Sequence, residues 1–113
     1  MDFNIVVLTG HLAAEPEIRS FPSGATLIRY LVTTRVTAPR RRVDVVPVTL
    51  WDPPAHLLES PGPKGGAVFV AGTLQRRFWS VEGGKASRVE VIARHVEFRT
   101  AATAEDDEGR SSA

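Results

Sequence analysis

Two tryptophans stand near arginines on the polar side of alternating stretches. In residues 43–51 (VDVVPVTLW), Val46, Val48 and Leu50 share one face and Trp51 falls on the other. In residues 68–79 (VFVAGTLQRRFW), Val68, Val70, Gly72 and Leu74 share the inward face. Phe69, Ala71, Thr73, Gln75, Arg77 and Trp79 share the outward one. Strand side chains alternate with a period of two, so these assignments follow once the core side is chosen. A large ring on an outward face is unfavourable unless something covers it. A nucleic-acid base is a suitable cover, because the ring stacks on the base while a guanidinium pairs with phosphate.

Other residues extend this chemistry. Arg35 falls on the outward side of the stretch 26–36, together with Arg29 and Thr33, while Ile28, Tyr30 and Val32 face in. Arg40, Arg41 and Arg42 form a basic loop. Such a run is either a solvated loop or, beside an open groove, a phosphate holder. Phe69 is either a further stacking platform or part of a subunit interface. Phe78 precedes Trp79 on the opposite face and is expected to cover a barrel end. Turnover chemistry finds no support. His11, His56 and His95 lack acidic or thiol neighbours at ligand spacing, so no metal site is assigned. No nucleophile elbow, paired-carboxylate motif or phosphate-binding glycine loop is present, and no cofactor is implied.

Composition sets the bounds. The chain has 113 residues, enough for one domain with a core. No apolar run approaches the roughly 20 residues of a membrane span. The N-terminus lacks the features of a signal peptide, so the cytoplasm is the expected location. Absence of cysteine excludes disulfides and thiolate metal sites. Net charge is +1 and unevenly spread. Residues 100–113 hold Glu105, Asp106, Asp107 and Glu108 against Arg110, which leaves residues 1–99 with 13 basic and 9 acidic groups. Twelve of the fourteen basic residues are arginine, the side chain suited to phosphate forks and base stacking. The same bias also follows from a genome rich in arginine, alanine, valine and glycine codons.

Period-two segments rich in valine, threonine and isoleucine dominate, and helical periods are nearly absent. Five strands are predicted, over residues 5–13, 26–36, 43–51, 68–79 and 87–98. A short return over 18–21 precedes the Pro22-Ser23-Gly24 turn. Residues 54–59 are predicted as one or two helical turns with Pro54 near the start. A hairpin turn falls at residues 82–85. Five strands with a short helix between the third and fourth give an all-β OB-fold, a small Greek-key barrel over residues 1–99. Gly10 and Gly72 suit the bends of such a barrel. The tail 100–113 has nothing to bury and is expected to be disordered.

The same segments resemble the bacterial single-stranded DNA-binding protein family. The likeness runs from about Asn4 to Phe98. It includes the opening NIVVLTGHLAAEPEIRSFPSG, YLVTTR at 30–35, VTLW at 48–51, PKGGAVFVAGTLQRRFW at 63–79 and VEVIARHVEF at 89–98. The resemblance implies an OB-fold that binds single-stranded DNA largely without sequence preference, in replication, recombination or repair. It implies Trp79 and Trp51 as stacking residues and a homo-oligomer, a tetramer or a dimer, in which first strands pair. Ile5 and Val7 offer an apolar outward edge for that pairing.

Departures from the family pattern have consequences. Aromatics that the family often places near Val36-Thr37 and near Val45 are missing. Weaker and more salt-sensitive binding is expected, with Arg40, Arg41 and Arg42 compensating by charge. The family's acidic tip closes in Pro-Phe, whereas residues 109–113 end without either. Recruitment of repair enzymes through that tip is therefore not expected. Two other readings stay open. One is a primosomal OB-fold protein acting mainly through protein partners. The other is an assembly module without nucleic-acid binding.

Overall fold

The computed structural model describes residues 1–99. The expectation of a disordered acidic tail concerns residues 100–113 and lies outside the described residues. The elements are β1 (Val6–Leu12), β2 (Glu17–Ser20), β3 (Thr26–Val36), β4 (Arg42–Trp51), α1 (Ala55–Glu59), β5 (Ala67–Val81) and β6 (Gly84–Phe98). The short return expected near residue 18 is a paired strand in its own right, β2.

Five strands close a ring. β1 pairs with β5, β5 with β6, β4 with β3, and β3 returns to β1, each pair antiparallel. β4 and β6 run parallel through Val48↔Val91 and Thr49↔Ile92. β2 lies outside the ring, on the free edge of β3. This is the OB-fold barrel expected from the element order, with α1 between its third and fourth ring strands. Alternation puts Ile28, Tyr30, Val32, Val48, Val70 and Val91 inside, all at most 1% exposed. Leu57 of α1 joins them from one end of the barrel.

Two close approaches shape the ring. A Cβ on Gly10 would lie 2.1 Å from the carbonyl oxygen of Thr33, where β3 closes on β1. A Cβ on Gly72 would lie 2.0 Å from the Ile92 carbonyl, beside a register shift between β5 and β6. Only glycine fits where backbones cross this tightly.

The ring also explains three departures from simple alternation. Thr33 has outward parity but is buried, because His11 of β1 pairs over it at the closure. Leu74 was expected to face in, yet it is about half exposed. Phe78, expected to cover a barrel end, is 63% exposed. Phe78 belongs to the stretch where β5 and β6 continue as a two-stranded ribbon out to the turn at Glu82 and Gly83, and Leu74 stands at the base of that ribbon, opposite Val91 where β6 still pairs with β4. Parity is preserved along that ribbon, but no further layer covers its second face.

Candidate nucleic-acid interface

One outer face carries both tryptophans. Trp51 ends β4 opposite Leu27 of β3. Its ring stacks on Phe21, with centroids 5.7 Å apart and planes 28° apart. Phe21 enters the turn at residues 21–25, and Phe21 N–H donates to the Ala25 carbonyl at 2.9 Å. The turn therefore holds one ring against the other, and both remain partly exposed. Trp79 stands on the β5–β6 ribbon opposite Ala86. The Arg77 guanidinium lies 5.5 Å from its ring centroid, within cation–π range.

Between the two rings the register sets a polar strip. Arg29 of β3 faces Thr49 of β4, and Gln75 and Arg77 of β5 face Glu90 and Arg88 of β6. Thr49 Oγ1 donates to Glu90 Oε2 at 3.2 Å, in a buried contact joining the two parallel strands. Arg19 of β2 pairs with Glu17 at the margin. Burial lowers the Arg29 guanidinium below its ordinary pKa, and the charges of Arg19 and Arg77 push the same way; Glu90 and Glu17 oppose them.

A second group of the expected residues gathers elsewhere. Arg35 and Phe69 line an open groove of about 730 Å³, with Thr9, His11, Thr33 and Glu97 among its walls. Phe69 meets His95 edge-on, with centroids 6.1 Å apart, and His95 Nε2 lies 3.5 Å from Glu97. Arg42 pairs across from Val36 at the start of β4, and its Nε donates to Asp44 at 2.9 Å. Arg40 and Arg41 are exposed on the preceding loop. Val36, Val43 and Val45 stand exposed around this end of the β3–β4 hairpin.

The structure thus brings Trp51, Trp79 and Arg77 onto one face. It places Arg35 and Phe69 in a separate groove and Arg40, Arg41 and Arg42 at the adjoining hairpin end. Sequence reasoning missed Phe21 and the nearness of Arg29 to Arg77. Alternation marks Arg29 as outward, but its approach to Arg77 arises only through β4 and β6. Phe21 sits in a turn, outside any periodic pattern. Among the described residues, no three His, Asp, Glu or Cys side chains converge as metal ligands, and no helix is long and apolar enough to cross a membrane.

A five-stranded OB barrel with aromatic rings and guanidinium groups on one outer face defines a class of oligonucleotide-binding modules. The chain belongs to the single-strand binding protein family, whose model matches residues 3–99. It is 27% identical over 112 residues to single-stranded DNA-binding protein 1 of Nostoc sp., covering 99% of this chain and 94% of the relative. It is 32% identical over 125 residues to the single-stranded DNA-binding protein of Treponema pallidum, covering 98% and 69%. Its fold matches the Plasmodium falciparum SSB solved in complex with ssDNA, with a TM-score of 0.75 at 20% identity, over 88% of this chain and 97% of that one. The family is non-enzymatic, and tetrameric assembly is typical of it.

Proposed function

We propose that this chain coats single-stranded DNA, largely without sequence preference, during replication, recombination or repair. Bases stack on Trp51 and Trp79, Arg77 reaches the phosphate between them, and Arg35, Arg40, Arg41 and Arg42 track the backbone further along. Phe69 adds a minor contact in the groove beside Arg35. The observation that carries this reading is the order on one face: a ring, a strip of guanidinium groups, then a second ring held under Arg77. Family membership over residues 3–99 supports it. The action is binding in the cytoplasm, beside nucleoid DNA, and it consumes nothing.

Association accompanies binding. Phe3, Ile5 and Val7 are all exposed along the start of the chain and on β1. An apolar strand edge of this kind invites pairing with a second copy. Homo-oligomerisation through β1, to a dimer and then a tetramer, fits that surface. The test of function is affinity for oligo-dT. Replacing both Trp51 and Trp79 with alanine should abolish most of it, since each stacked base contributes roughly 1–3 kcal/mol. Undiminished affinity in the double variant would rule out stacking as the mechanism and favour action through protein partners.

A further inference from the structure

We propose that Arg29 and Arg77 form one shared seat for a single backbone phosphate, placed between the rings of Trp51 and Trp79. The inference rests on the strand-binding reading above and deepens it. Arg29 enters the site as a partner equal to Arg77.

The geometry starts from the register. Arg29 faces Thr49, Thr49 lies beside Ile92, and Gln75 faces Glu90, so β3, β4, β6 and β5 present adjacent rows on one surface. Arg29 stands on β3 and Arg77 on β5, at the two sides of this strip, and the charge of Arg77 is felt at Arg29. Both Nε atoms are buried, and neither has a hydrogen-bond partner. A buried donor left unmet is costly, and a phosphate that draws the two guanidinium groups outward gives each Nε an acceptor. The charge balance points to the same ligand. Arg19, Arg29, Arg77 and Arg88 gather here against Glu17 and Glu90, which leaves the strip with an excess of positive charge. Glu90 is already engaged by Thr49, and Glu17 by Arg19. A phosphodiester brings one negative charge and two free oxygens, enough to accept from both guanidinium groups. The mutual repulsion of Arg29 and Arg77, which lowers the Arg29 pKa, is relieved by the same anion.

The test uses the full chain and oligo-dT, with Arg29→Ala, Arg77→Ala and the double variant. Each single replacement should weaken binding on the order of tenfold at low salt. The double variant should lose little more than either single one, because one seat is lost only once. The slope of log affinity against log salt should fall by about 0.7 in all three variants. Multiplying losses, with a slope change in the double variant near the sum of the singles, would overturn the shared seat. So would wild-type affinity in Arg29→Ala, and continued quenching of tryptophan by oligo-dT would then leave the strand-binding reading intact.

Inorganic phosphate gives a readout without DNA. It should raise the Tm of the wild-type chain more than that of Arg29→Ala at equal ionic strength, and equal shifts would overturn the seat. A phosphate effect confined to the wild type, with no binding of oligo-dT, would keep the anion seat and overturn the strand reading. Arg29→Lys serves if the alanine variant does not fold, since an ammonium keeps the charge but loses the fork, and the phosphate-dependent rise should shrink. Arg76→Ala is the control. Arg76 donates to Ser87 Oγ at 3.0 Å on the other face of the ribbon, and its loss should leave both readouts unchanged.

Discussion

The Trp51–Trp79 face and the β3–β4 hairpin end are both basic, but only the first offers stacked rings. On the first face, Phe21 backs Trp51 and Arg77 lies over Trp79. At the hairpin end, Arg40, Arg41 and Arg42 stand among exposed Val36, Val43 and Val45, with Arg35 in the adjoining groove. Charge attracts a strand from a distance and weakens with salt, whereas stacking holds bases at short range and depends less on salt. On the proposed reading, one end of the track grips the strand and the other steers it.

The largest test of that contrast separates the rings. Trp79→Ala and Trp51→Ala should each weaken oligo-dT binding roughly tenfold to a hundredfold, measured by anisotropy, with little change in salt slope. Trp51 retains Phe21 beside it, so its loss should be the smaller of the two. A test that reaches both ends together is alkaline pH. Burial pushes the Tyr30 hydroxyl from 10.0 to about 12, and this ring sits in the core beneath both regions. The folded state favours the neutral phenol, so its contribution is fully present below pH 10 and disappears as pH rises towards 12. Stability should fall by about 1.4 kcal/mol per unit across that window. Denaturant melts of wild type and Tyr30→Phe, which should lack that fall, will show it.

Smaller effects probe the steering end. Val45→Trp installs a ring where β4 is exposed, and affinity should rise by roughly 1 kcal/mol if the strand passes there. Replacing Arg40, Arg41 and Arg42 with alanine should lower affinity at low salt and barely at high salt, with the slope falling by at most about 2. Arg42 should contribute least of the three, because Asp44 already holds it. Phe69→Ala should change affinity least, by under roughly 0.5 kcal/mol, because its edge already meets His95.

The barrel and half of the site were legible in the sequence for a local reason. Alternation on β1, β3 and β4 fixes which side of each strand meets the core, and it separated Val48 and Leu50 from Trp51 correctly. It failed where a third element decides exposure. Thr33 is covered by β1, while Phe78 lies on the ribbon beyond the ring and Leu74 at its base. The approach of Arg29 to Arg77 was hidden because the sequence places them far apart, and only the parallel pairing of β4 with β6 carries one towards the other. Phe21 could be found only through the turn that follows it, as an aromatic entering Pro22-Ser23-Gly24.

The measurement closest to the central claim is tryptophan fluorescence during titration with oligo-dT at low and high salt. Trp51 and Trp79 are the chain's only tryptophans. Strong quenching that saturates, with affinity falling as salt rises, is the predicted result. Tight binding that leaves the fluorescence unchanged would contradict the account, because it would place the strand away from both rings.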